Sequence, residues 1–326
     1  LQFNLTYEKA MEVSDYFKEN LQNNHFVNPD QTVYIGLDSG WDCMNEEQLK
    51  SFIEKCKSNG QIGGIYWTPF TDWARDPERT VDAAPEYKYK DIYLYANGKP
   101  QELDGAYAVD PTHPAVEAMM KKTSGLFHRA GFEYVKMDFM THGAMEADRW
   151  YNPEIKTGIQ GYNYGMKLLN QYFGDMYINL SISPVFPAQY AQSRRIACDA
   201  WNQIKDTEYT LNALSYGWWQ KYIYQYNDAD HIVLRDATDG ENRARITSGV
   251  ITGIYITGDD FSAGGGKDGK EKSQKYLTNP EVNAVATGEV FRPVEGNGEK
   301  SEHIFVRQTP DGRFHCAVFN LSLIHI

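Results

Sequence analysis

Cysteine is scarce. The 326 residues contain four, Cys43, Cys56, Cys198 and Cys316, widely separated, with neither a Cys-x-x-Cys pair nor the density of a disulfide scaffold. They exclude a cystine-stapled domain and leave the redox compartment open. Long apolar runs are also missing, since no stretch approaches the ~18 residues of a membrane-spanning helix. The N-terminus lacks the charged, apolar and small-residue regions of a signal peptide. Basic tracts are absent too: 32 Lys and Arg stand against 44 Asp and Glu, for a formal net charge of -12. Such a chain repels polyphosphate, so nucleic acid and anionic membrane surfaces are not expected partners, and a neutral substrate fits better. The eight histidines form no HxxxH or HxH pair and have no cysteine at zinc spacing, so neither a metal nor another cofactor is expected. Gly264 to Lys270 matches the spacing GxxxxGK, but Glu271 stands where a phosphate-binding loop needs Ser or Thr. That match is a decoy on a glycine-rich loop.

What the chain does contain is apolar and aromatic material, 41% and 14% of residues, enough for one large core. Short β-rich runs alternate with segments of helical period from about residue 32 onward, the pattern of a parallel α/β fold. Eight runs read as strands: Val33 to Leu37, Ile62 to Trp67, Ala106 to Val109, Tyr134 to Met137, Met176 to Leu180, Ile196 to Ala197, His231 to Leu234 and Ile254 to Thr257. Between them, Asn45 and Gln48 form a capping box closed by Gly60, Pro114 opens a helix ended by Gly131, and Gly174 ends a third. Eight strands with intervening helices predict a closed (β/α)8 TIM barrel, whose active site lies at the C-terminal ends of the strands.

Residues 1-29 read as an N-terminal helix and linker, 30-285 as the barrel, and 286-326 as the start of a C-terminal antiparallel β-domain. The stretch from Thr71 to Leu103 is too long for an ordinary connection and reads as an insertion near the active-site mouth. The start at Leu1 rather than Met, and the stop just after the strand-like run Phe314 to Asn320, read as cuts in a longer protein.

Two aspartates, Asp138 and Asp199, each sit where a short apolar run stops. A carboxylate at the end of a buried strand is costly unless it is exposed in a cleft, paired or used in chemistry. Ordinary strand-end aspartates capping loops, or paired with Lys136 and Arg195, would satisfy the same pattern. At the ends of the fourth and sixth strand candidates, however, barrel geometry aims both at one mouth, which is the arrangement glycoside hydrolysis needs. Lys136, two residues before Asp138 and so on the same strand face, could hold it ionised, and Arg195 could serve Asp199 likewise. Trp67, Trp201, Trp218 and Trp219 read as packing residues, His142 as a loop residue and Cys198 as buried.

These residues resemble the glycoside hydrolase clan of the α-galactosidases and α-N-acetylgalactosaminidases, families 27 and 36. The resemblance is carried by Lys136-x-Asp138, Arg195-x-x-x-Asp199, Asp38-Ser-Gly-Trp41, Gly64-Ile-Tyr66 and Asn227-Asp-Ala-Asp230, in the family's order. It implies a retaining exo-glycosidase acting on terminal α-galactosides of oligosaccharides or glycoconjugates. Asp138 would be the nucleophile and Asp199 the acid/base. Asp38, Lys136 and Asp230 would bond sugar hydroxyls, Arg195 would reach the 2-position, and Trp41 and Tyr66 would wall the apolar face of the ring. The resemblance also implies homo-oligomers of the full-length protein; the compartment stays open, with a secreted or periplasmic location slightly favoured.

Two positions depart from the family pattern. Ser39 replaces the second aspartate of the strand-one signature, and the segment around Ser183 offers small side chains where family 27 α-galactosidases place a glutamate. Space near Ser183 could admit a 2-acetamido group. A non-catalytic carbohydrate-binding barrel is the reading from a different class; it would require loss of a carboxylate, and both are present.

Overall fold

The computed structural model describes residues 4–294 and 303–321. Its contacts divide the chain into two compact units. Gly36–Ile53 and Gly63–Ala191 form one, and Leu1–Ile35, Glu54–Ile62 and Gln192–Ile326 the other.

In the first unit the strand Ile62–Trp67 pairs in parallel with Tyr134–Met137, from Gly64 opposite Tyr134 to Trp67 opposite Met137. Tyr134–Met137 pairs in turn with Tyr177–Leu180. Ile65, Val135, Met137, Ile178 and Leu180 from these strands are all buried. Runs buried on both faces are what a parallel sheet covered by helices requires. After the short strand Tyr34–Gly36, the Leu37 N–H donates to the Gly64 carbonyl at 2.9 Å.

The helix Pro114–Ala130 has its predicted punctuation: proline at the first turn, and Gly131 at φ 94°, a left-handed end that glycine adopts without a Cβ penalty. Gly158–Phe173 begins with a capping box between Thr157 and Gln160. The box between Asn45 and Gln48 is also formed, with reciprocal bonds of 3.0 and 2.9 Å.

In the second unit Ser193–Arg195, Tyr226–Ile232 and Ile254–Thr257 pair in parallel, with a register shift between Asp228 and His231. The amphipathic N-terminal helix is Tyr7–Tyr16, continued by a π turn over Phe17–Leu21. It buries Ala10, Ser14, Phe17 and Leu21, and the Ser14 hydroxyl donates to Gln61 Oε1 at 2.6 Å. A three-stranded antiparallel sheet, Arg292–Pro293, Ile304–Gln308 and Phe314–Val318, closes the described chain.

Seven strands with parallel pairing are therefore present among the described residues, distributed over the two units. The difference from the expected eight lies in Ala106 to Val109. Ala106–Ala108 pairs antiparallel with Thr71–Asp72 on one side and Glu102–Leu103 on the other, in a small sheet built by the insertion itself. Its alternating residues suit that hairpin as well as a barrel strand. Asp138 consequently follows the third parallel strand and Asp199 the fifth, rather than the fourth and sixth.

The strand expected at Ile196 to Ala197 lies three residues earlier, and the one expected at His231 to Leu234 starts at Tyr226. Both are rich in polar side chains, which hid them from a search for apolar runs. The expected loop over Gly264 to Lys270 ends sooner, because the helix Lys267–Leu277 starts inside it. Residues 295–302, including the expected strand start at Glu302, and residues 322–326 lie outside the described residues.

Candidate active site

The sequence-derived site residues fall into two groups, one in each unit. Asp38, Trp41, Tyr66, Lys136, Asp138 and Ser183 lie in the first. Asp138 is 6% exposed at the end of its strand. Its N–H donates to the Trp67 carbonyl at 2.9 Å, and its Oδ1 accepts from the Phe139 N–H at 2.8 Å. Lys136 Nζ lies 3.1 Å from Asp38 Oδ2 and 5.3 Å from the centre of the Tyr66 ring. The ammonium therefore bridges two side chains assigned to sugar binding, instead of forming the expected ion pair with Asp138. Asp38 itself caps its turn, accepting from the Ser39 N–H at 2.7 Å. Trp41 packs edge-on against the buried Phe127 at 5.2 Å, so part of its ring is spent on the core. Ser183 is buried.

Backbone strain collects at these strand ends. Phe139 directly after Asp138 has φ 54°, and Ile182 directly before Ser183 has φ 43°. Bulky residues in the left-handed region are uncommon and persist only where their surroundings fix them. The fixing contacts are visible. The N–H and hydroxyl of Thr141 both donate to the Ile182 carbonyl at 2.7 Å. The ring of Phe139 meets that of Trp73 at 4.7 Å. His142, fully buried, places Nδ1 3.0 Å from the Phe139 carbonyl and Nε2 2.8 Å from the Leu103 carbonyl. It is a tie between the insertion and the segment after Asp138.

Arg195, Asp199 and Asp230 lie in the second unit. Arg195, with 4% of its side chain exposed, makes ion pairs of 2.6 Å with Asp199 and 3.2 Å with Asp230. Asp199 is 57% exposed and Asp230 only 8%, so one carboxylate faces solvent and the other is part of the framework. Asp230 also accepts from the Ala200 N–H at 2.8 Å, and its own N–H donates to Asp228 Oδ1 at 2.7 Å. It too is left-handed, at φ 66°, where the register of the strand shifts.

Arg245, which no motif or spacing singled out, donates to the carbonyls of Ala229 at 3.3 Å and His231 at 2.6 Å. Burial pulls its guanidinium down to about 10, against the pull of Asp230, Asp206 and Asp228; it stays charged at neutral pH and braces the irregular strand.

Three packing expectations change. Trp219 is 40% exposed in the turn Trp218–Tyr222. Cys198 is exposed, because the strand ends at Arg195 and leaves it on a loop. Trp201 is 38% exposed and stands edge-on to His231 at 5.0 Å; its proximity to Asp199 in sequence was the only available signal. Among the described residues no group of three His, Cys, Asp or Glu is placed to hold a metal.

The arrangement offers a buried carboxylate beside a Lys–Asp–Tyr cradle, and an exposed carboxylate held by a buried arginine. Solved structures that share this fold include glycosidases. An α-galactosidase from Thermus thermophilus bound to p-nitrophenyl α-D-galactopyranoside superposes with a TM-score of 0.63 over 97% of this chain and 63% of its own, at 16% identity. A family 27 β-L-arabinopyranosidase from Geobacillus stearothermophilus gives 0.70 over 97% and 80%, at 18% identity. A family 36 α-galactosidase from the same organism gives 0.61 over 95% and 44%, at 14%. The chain shares their fold. It spans 57% of the length of the Thermus enzyme in its stachyose complex, somewhat over half. No family model matches the sequence.

Proposed function

We propose that the chain carries the catalytic segment, residues 30-285 in a TIM-like parallel α/β barrel followed by the start of a β-domain, of a retaining exo-glycosidase that hydrolyses terminal α-galactosides. The observation that carries this reading is the Asp138 strand end. A buried carboxylate stands there, fixed by a left-handed residue, two positions from a lysine already paired with Asp38, in a fold shared with α-galactosidases. Asp138 attacks the anomeric carbon as the bond to the leaving oxygen breaks, and Asp199 gives that oxygen its proton. Asp199 then takes a proton from the water that displaces Asp138. Asp38, Lys136 and Asp230 bond ring hydroxyls, Arg195 steadies Asp199 near the 2-position, and Trp41 and Tyr66 face the ring's C–H side. No cofactor enters these steps.

Ser39 favours a second reading. Without the second carboxylate, recognition of the 4- and 6-hydroxyls is reduced, which suits pyranosides with galactose stereochemistry and a different periphery. β-L-Arabinopyranosides, which lack C6, are one such class, and α-N-acetylgalactosaminides, favoured by the small Ser183, are another.

Rates on the three p-nitrophenyl glycosides rank these substrates. With the preferred one, Asp138→Ala should abolish turnover. Asp199→Ala should lose on the order of 10²–10⁴ on an alkyl glycoside, the usual worth of a general acid, yet keep most activity on an activated phenol leaving group. Equal, complete loss on every leaving group would remove Asp199 from the acid/base role. A wild-type protein that binds the sugars without hydrolysing any would be a carbohydrate-binding barrel.

A further inference from the structure

Trp73 is 46% exposed, which leaves much of a large apolar ring in water. Its position is nevertheless fixed at two points, and both flank Asp138. The indole Nε1 donates to Thr68 Oγ1 at 3.3 Å, and Thr68 follows Trp67, whose carbonyl accepts the Asp138 N–H. The ring itself stands at 80° to that of Phe139, with centres 4.7 Å apart, and Phe139 follows Asp138.

The insertion behind Trp73 is braced rather than loose. Thr71–Asp72 pairs with Ala106–Ala108. The buried Asp72 takes the Tyr93 hydroxyl at 2.5 Å and an ion pair from Arg79. His142 ties Leu103 to Phe139. Arg75, two residues beyond Trp73, forms an ion pair of 3.1 Å with Glu102, both side chains about half exposed, so a hydroxyl-bonding donor lies close in the chain to the exposed indole and brings its acceptor with it. An apolar ring face with polar groups at its margin is complementary to a pyranose, whose C–H face and hydroxyl rim are arranged the same way.

We propose that Trp73 is a platform for the sugar ring on the leaving-group side of the scissile bond, so that the site selects oligosaccharides over galactosides with small leaving groups. This rests on the reading of Asp138 as the nucleophile of an exo-acting enzyme. Such an enzyme holds a single ring on the glycone side, where Asp38, Lys136 and Tyr66 stand. A second ring therefore belongs to the leaving group, and Trp73 lies beyond the strand ends that carry those three residues.

The test compares kcat/KM for stachyose with that for α-galactosyl fluoride, which has no leaving sugar, in the wild type, Trp73→Ala and Trp73→Phe. The ratio of stachyose to fluoride should fall about tenfold in Trp73→Ala, as expected for the loss of one aromatic contact, and by less than half of that logarithmic change in Trp73→Phe. An unchanged ratio in Trp73→Ala overturns the platform. So does an equal loss on both substrates, which would mean that Trp73 acts through Phe139 on Asp138.

Failure of the underlying reading is separately visible, because the wild type would then hydrolyse neither substrate. Stachyose binding by calorimetry decides in that case: about tenfold weaker binding by Trp73→Ala supports the platform, and equal affinity overturns it.

Discussion

Arg195 gives its charge to two carboxylates of different standing, and the difference has a measurable consequence. Removing a buried ion-pair partner leaves an uncompensated charge in a poorly solvated place, whereas an exposed partner is re-solvated. Asp230 is of the first kind and Asp199 of the second. Arg195→Ala should therefore destabilise the protein by about 3 kcal/mol, while Asp199→Ala should change stability by less than ~1 kcal/mol and act on turnover alone. Urea melts of the two variants separate the outcomes. Equal destabilisation would mean that Asp199 is structural and that its ion pair, not proton transfer, explains its position in the sequence. The same contrast shows what was legible at this scale. The spacing Arg195-x-x-x-Asp199 announced a pair, and the pair is there. The third member, Asp230, came only from the family resemblance, because 30 residues of chain separate it from Asp199 and it sits at a register shift.

Elements were legible where apolar periodicity coincided with capping residues, as in the helices opened by Asn45 and Pro114, and illegible where side chains served each other rather than a core. Ser193–Arg195 and Tyr226–Ile232 carry Ser, Arg, Asn and Asp inward, so the search for apolar runs placed them three and five residues late. The insertion was recognised by its length, but its own sheet claimed Ala106–Ala108, which a barrel strand would have matched equally well. That sheet is organised by Asp72, whose side chain is 1% exposed. Asp72→Ala would leave the Tyr93 hydroxyl with its acceptor removed, while the half-exposed Arg79 turns to water. The expected cost is about 1–3 kcal/mol, the penalty of one orphaned buried polar group. Hydrogen exchange should show it as faster exchange confined to residues 71–108, with the parallel strands Tyr134–Met137 and Tyr177–Leu180 unaffected. Uniform acceleration throughout the unit would mean that the insertion and the sheet unfold together.

For the molecule as a whole, the relation between the C-terminal strands and the helices before them decides how the chain unfolds. The antiparallel sheet reads in sequence as the start of a separate domain, yet Phe291, Phe305, Ala317 and Phe319 form one buried cluster with Leu211 and Leu214 of the helix Ile204–Gly217 and with Ile251 of Asp239–Thr252. Phe305 is fully buried at its centre, edge-on to Phe319 at 6.0 Å. A shared core couples the stabilities of the elements that build it, because neither side can separate without exposing the other's apolar face. Phe305→Ala should therefore cost about 3–5 kcal/mol, the range for emptying a buried aromatic site, and that loss should appear in the melting of the helices. Helical circular dichroism and the fluorescence of Trp218, which packs against the same cluster, should shift together to lower urea. A helical transition that stays in place while an earlier, separate step appears would show that the sheet is an independent domain resting on the helices. Deletion after residue 285 sharpens the same test. With a shared core it leaves Leu211, Leu214 and Ile251 facing water, and the shortened chain should bind hydrophobic dyes or aggregate rather than fold as a self-sufficient enzyme.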